Sequence, residues 1–193
     1  MSVTTQRLTL EAYLAYDDGS DGRYELVNGE LLPMGLGTGR HGAIIKRLER
    51  VLDDEIERLQ QPWIALAGTV GLQSPRGDVW NTVRIPDVTV LTLAQWERLQ
   101  EREAVIRLNE PPPLLVVEVV TESTKSTDYR AKRAEYSVLD ILEYWIVDPL
   151  KGKVTVCTLL EGWYESAEYS GQEMITSPTL SDLTLTVEQV LQG

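Results

Sequence analysis

The sequence predicts one domain of mixed α/β (α+β) class, a mixed sheet with helices packed on it, and three observations lead there. Of 193 residues, 42% are hydrophobic, enough to build a core rather than a disordered chain. Strand-like runs occur both in hairpins and across helical connections, which excludes pure βαβ alternation. The last quarter, from Glu143 on, is rich in strand patterns and predicts a β-rich C-terminal extension.

In chain order, Thr9 caps a short helix over Leu10 to Tyr16, and Asp17 to Gly22 is a loop by its turn residues. Tyr24 to Val27 and Glu30 to Met34 flank Asn28-Gly29, a dipeptide suited to the positive dihedrals of a type I′ hairpin turn. From Gly42 to Gln60, Ile44, Ile45, Leu48, Val51, Leu52, Ile56 and Leu59 recur at helical spacing with charges on the other face. Strands are expected at Trp63 to Leu66, Thr69 to Gln73 and Val83 to Leu91, with a turn over Ser74 to Asp78. Leu93 to Leu99 reads as helix or the start of an irregular excursion, and three prolines, 111 to 113, then hold the chain extended before a central strand, Leu114 to Val120. A helix over Ala131 to Leu139 follows, then a strand at Glu143 to Asp148, a pair formed by 151–160 and 162–169, and an amphipathic piece at Leu185 to Leu191. No linker or repeat divides residues 1–193, so a single domain is expected.

Charge narrows the function classes. Eighteen Lys and Arg against 30 Asp and Glu give a formal net of -12, which argues against broad adhesion to nucleic acid or anionic membrane. A polyanionic substrate would need a local basic patch. No apolar run reaches the length of a membrane span, and the N-terminus lacks a leader pattern, so a cytoplasmic protein is expected. The single cysteine, Cys157, excludes an internal disulfide and reads as a buried small hydrophobe.

Three acids stand where acids are costly. Glu118 interrupts Leu114-Leu115-Val116-Val117-Glu118-Val119-Val120, and a carboxylate there needs a cation, a metal or donors to offset its desolvation. Asp87 raises the same question in Ile85-Pro86-Asp87-Val88, as does Glu25 in Tyr24-Glu25-Leu26-Val27. Singly, each reads equally well as a sheet-end residue or half of an ion pair. Together they suggest a shared site for a hard divalent cation, since Mg²⁺ takes oxygen ligands and keeps waters that a phosphate can displace. Lys132 could reach back into such a site, or belong to a solvated basic face with Arg130 and Arg133.

The ordered set Tyr24-Glu25-Leu26-Val27-Asn28-Gly29-Glu30-Leu31, His41, Pro86-Asp87-Val88, Val117-Glu118-Val119-Val120, Asp128 with Lys132 and Tyr136, and Glu143 to Pro149 resembles the Uma-type restriction endonuclease family, a branch of the PD-(D/E)XK nucleases. The resemblance implies a restriction-endonuclease-like core with flanking helices and a Mg²⁺-dependent phosphodiesterase site, with Mn²⁺ as a substitute ion. Asp87 matches the aspartate of the PD element, Glu118 the acid of (D/E)XK, and Glu25 an acid from the N-terminal region. Val120 stands where the usual lysine would be, and Lys132 matches a lysine supplied from the following helix. On this reading Asp87, Glu118 and the Val119 carbonyl hold the ion, Glu25 assists through water or a second ion, and Lys132 acts on water and phosphate. DNA is the implied partner, and cutting two strands implies a homodimer.

Two signals compete. Gly37-Thr38-Gly39-Arg40-His41-Gly42 matches a dinucleotide fingerprint, but the preceding strand belongs to a hairpin, so a loop near the site is the better reading. His41, the sole histidine, reads as a surface residue at a helix N-terminus more readily than as a catalytic group. The alternative function is a catalytically silent nuclease-like fold serving as a binding or assembly module, favoured by the net charge and by Val120.

Overall fold

A computed structural model describes residues 7–20, 22–75 and 81–192. Helix α1, Leu10–Leu14, is capped by Thr9, whose hydroxyl accepts from the Ala12 N–H. Strands β1, Tyr24–Val27, and β2, Glu30–Pro33, pair antiparallel about Asn28 and Gly29, at φ 54° and 82°, as the dipeptide predicts. Helix α2, Gly39–Arg58, begins three residues before the expected start, because the Thr38 hydroxyl caps it at the His41 N–H.

Strands β3, Trp63–Ala67, β4, Gly71–Gln73, β5, Val83–Arg84, and β6, Val88–Thr92, follow. The run from Val83 to Leu91, expected as one strand, is two strands in different sheets. Pro86 lies at the break, and its missing N–H cannot serve a sheet ladder. Part of the expected 74–78 turn lies outside the described residues. The Leu93–Leu99 segment is helical, α3, fastened by a reciprocal capping box between Thr92 and Gln95. A two-residue strand, β7, Val105–Ile106, then pairs parallel with β4, too short to leave a sequence pattern.

Strand β8, Leu115–Val119, is followed by a π-helical turn, Thr127–Lys132, that runs into α4, Arg133–Val138. The expected helix at Ala131 therefore begins four residues earlier and in a wider winding. Such turns insert an extra residue and recur at functional sites. Strands β9, Glu143–Asp148, β10, Lys153–Leu160, and β11, Trp163–Ser170, and helix α5, Val187–Leu191, complete the fold.

The strands form two sheets, a division not visible in the sequence. One has the order β2-β1-β5-β4-β7 and the other β11-β10-β9-β8-β6-β3. In the second, β8 is central as expected, antiparallel to β6 and parallel to β9. Its alternation feeds two cores. Val117 and Val119 pack with Ile44, Leu48 and Leu52 of α2, whereas Val116 and Val120 pack with Tyr136, Tyr144 and Ile146. Each fully buried leucine or valine side chain contributes about 1.5–3 kcal/mol. Trp145 and Cys157 are core residues, both fully buried. No described helix is long and apolar enough to cross a membrane.

Candidate active site

The acids and the lysine singled out in the sequence meet at the C-terminal end of β8. Val88 pairs with Val117, so one further step in the same register sets Asp87 beside Glu118 on one face. The Asp87 carboxylate accepts the Val119 N–H at 2.7 Å, tying the end of β8 to the segment before β6. Glu118 is 3% exposed, accepts the Tyr136 hydroxyl at 2.7 Å through Oε1, and meets Lys132 Nζ at 2.7 Å through Oε2. Lys132 is 6% exposed, whereas Arg130 on the same turn faces solvent. At the end of the π-helical turn the lysine therefore faces inward, away from the solvated face its neighbours suggest.

Glu25 sits across the junction between the two sheets. One of its oxygens accepts from Arg84 Nη1 and the other from the Ile85 N–H, both at 3.0 Å, and Lys132 Nζ is 3.9 Å away. Its side-chain partner is thus a guanidinium and its main-chain partner the Ile85 amide. Arg84 is itself buried and grips Glu135 through two hydrogen bonds of 2.7 and 3.0 Å. Planar, bidentate pairing of this kind suits Arg and gives the centre a rigid wall.

Asp128, one turn before Lys132, is 1% exposed, and Lys132 Nζ lies 3.3 Å from Oδ1. Neither of its oxygens has a well-formed hydrogen bond. His41, near the start of α2, directs Nε2 at the Val119 carbonyl, 3.1 Å away, and at Asp87 Oδ2, 3.5 Å away.

The electrostatics follow from this crowding. Burial, reinforced by the charges of Asp87 and Asp128 and opposed by Lys132, pushes the Glu118 carboxyl up to about 8. Burial likewise raises Asp128. Lys132 is raised too: burial works against its charge, but Glu118, Glu25 and Asp128 outweigh it. His41 is raised chiefly by its bond to Asp87, against partial burial. Among the described residues, the five acids Glu25, Asp87, Glu118, Asp128 and Glu135 face two permanent cations, Lys132 and Arg84, so carboxyl groups outnumber cations.

That excess, the Asp128 oxygens with no well-formed hydrogen bond and the donor chemistry of two carboxylates, a carbonyl and an imidazole fit a divalent cation. Among the described residues, no three His, Cys, Asp or Glu side chains already converge as a ready ligand set.

The structure brings Asp87, Glu118, Val119 and Lys132 together and holds Glu25 one guanidinium aside. Sequence reasoning missed Arg84, Glu135 and the position of His41. Arg84 carried the signal that revealed Glu118, a charge inside an apolar run, Val83-Arg84-Ile85. Glu135 and Tyr136 lie three and four residues after Lys132, on its helical face.

A family profile described as "Uma2: Putative restriction endonuclease" matches residues 10–188. The solved structure of "a putative nuclease belonging to DUF820 from Anabaena variabilis ATCC 29413" is similar at TM-score 0.75 and 16% identity, covering 96% of this chain and 98% of that one. No curated protein matches. At that identity the structural likeness shows the fold alone, but the profile spans nearly the whole chain, and the protein therefore belongs to the Uma2 restriction endonuclease family and has its nuclease-like fold.

Proposed function

We propose that the protein is a Mg²⁺-dependent endonuclease that hydrolyses phosphodiester bonds of DNA, working as a single cytoplasmic domain in a homodimer. The observation that carries this reading is the Lys132 ammonium, 2.7 Å from the Glu118 carboxylate and delivered from the turn after β8 rather than from position 120. In this reading the Asp87 and Glu118 carboxylates and the Val119 carbonyl would hold the ion. Held there, a divalent cation would supply Lewis acidity, polarising the scissile phosphate and lowering the pKa of a bound water. Lys132 orients the attacking water and offsets charge on the phosphoryl oxygens. Tyr136 fixes the Glu118 rotamer through Oε1, and Glu25, clamped by Arg84, keeps Lys132 charged from the far side.

The test is incubation of supercoiled plasmid with the protein and Mg²⁺ or Mn²⁺. Nicking that disappears in both Asp87→Ala and Glu118→Ala supports the reading. Nicking that persists in both, or no cleavage of any nucleic acid with either ion, overturns it and favours a binding module, the reading that Val120 and the net charge of -12 favour.

A further inference from the structure

The imidazole of His41 faces the two atoms that the proposed function assigns to the ion, and nothing in that function uses it. Its Nε2 is 3.1 Å from the Val119 carbonyl oxygen and 3.5 Å from Asp87 Oδ2. Adjacent ligands of an octahedral divalent ion with bonds near 2.1 Å lie about 3 Å apart. The two separations that Nε2 makes, 3.1 and 3.5 Å, are therefore close to those between neighbouring ligands of such an ion.

The chain also holds the ring there by two local devices. The Thr38 hydroxyl accepts the His41 N–H and fixes the first turn of α2. Gly37 lies against the ring edge, where an added Cβ would collide with Nδ1 and come within 2.9 Å of Cγ. The loop can run beside the imidazole only because position 37 has no side chain. This accounts for one glycine of the Gly37 to Gly42 stretch without a nucleotide.

We propose that His41 is a further ligand of the site's divalent ion, with Nε2 beside Asp87 Oδ2 and the Val119 carbonyl, and that this nitrogen makes the site prefer Mn²⁺ over Mg²⁺. The inference rests on the metal site of the proposed function. Its chemistry is that of a mixed donor set: an all-oxygen site suits Mg²⁺, whereas an imidazole shifts affinity toward transition ions along the Irving–Williams order. As a ligand the ring binds through unprotonated Nε2, so the ion takes the place of the proton that now bridges to Val119.

Electron spin-echo spectroscopy of bound Mn²⁺ reads this directly, because the chain has one histidine. The spectrum of the wild-type protein is expected to show ¹⁴N modulation that changes to the ¹⁵N pattern when only histidine is ¹⁵N-labelled, and that vanishes in His41→Ala. His41→Ala is also expected to bind Mn²⁺ at least tenfold more weakly while Mg²⁺ affinity changes less than threefold. Gly37→Ala, which displaces the ring without removing it, is expected to weaken Mn²⁺ binding in the same direction. Bound Mn²⁺ without histidine nitrogen modulation overturns the role of His41 and leaves the carboxylate site standing. Mn²⁺ that stays free in solution, seen by its sharp six-line spectrum, overturns both.

Discussion

Two buried glutamates on neighbouring parallel strands have opposite surroundings. Glu143, at the start of β9, is fully buried and faces neutral donors: Trp145 Nε1 at 2.5 Å, the Ser177 hydroxyl at 3.0 Å and the Thr179 N–H at 2.8 Å. Those bonds fasten the segment around Ser177 and Leu180 to the sheet. Glu118, at the other end of β8, has one hydroxyl donor and one ammonium, with Asp87 and Asp128 pressing on it. Buried carboxylates need partners in either case. A carboxylate satisfied by fixed dipoles serves the fold, whereas the proposed function assigns to a cation the one set among other acids at the carboxyl end of a strand, the position where α/β sheets bind ligands.

The comparison breaks most visibly in activity. Glu118→Ala and Asp87→Ala are expected to lower plasmid cleavage at least a hundredfold, about 2.7 kcal/mol in barrier. Glu143→Gln, assayed below its melting temperature, should cleave within threefold of wild type. Equal losses in Glu118→Ala and Glu143→Gln would remove the distinction.

Lys132→Ala separates chemistry from binding. Cleavage should be lost while Mn²⁺ affinity stays within threefold, since the proposed function has the ammonium act on water and phosphate. Lys132→Arg should rescue little, because a planar guanidinium does not reproduce a compact ammonium. Removing the lysine also strands buried carboxylates, so a stability loss of about 3–5 kcal/mol is expected in denaturant titration. Full activity in Lys132→Ala would show that the lysine only balances charge.

The next effect is on pH dependence. Glu118 is raised on folding from 4.5 to about 8, so between those values the native state holds a proton that the unfolded chain has released. Its contribution is therefore fully present below pH 4.5 and is lost as pH rises toward 8, with a slope of at most about 1.4 kcal/mol per unit. Urea titrations of the metal-free protein across this window should show the decline, and Glu118→Gln should flatten it. An unchanged slope in Glu118→Gln would place the titration elsewhere. Smallest is the cost of Glu143→Gln, about 1–3 kcal/mol, from donors left imperfectly paired.

Legibility in the sequence followed the range of the interaction. The hairpin at Asn28-Gly29 and the amphipathic α2 rest on contacts within a few residues, and both were readable. Glu118 was readable because a charge in an apolar run stands out whatever surrounds it. The split of Val83 to Leu91 had a local cause in Pro86, but only pairing with β1 on one side and β8 on the other turns a break into two sheets. Lys132 faces inward at the end of a π-helical turn, a winding that no residue type between Thr127 and Lys132 announces. His41 reaches a carbonyl 78 residues away, and a histidine near a helix N-terminus carries no local mark of that contact.

Calorimetric titration of Mn²⁺ into the wild type, Glu118→Gln and Glu143→Gln at pH 7 tests the central claim, that the acids at the end of β8 are held for a divalent cation. Wild type and Glu143→Gln should bind with equal affinity, and Glu118→Gln should bind at least tenfold more weakly. Absence of binding by the wild type, or binding by Glu118→Gln as tight as by the wild type, would contradict the claim.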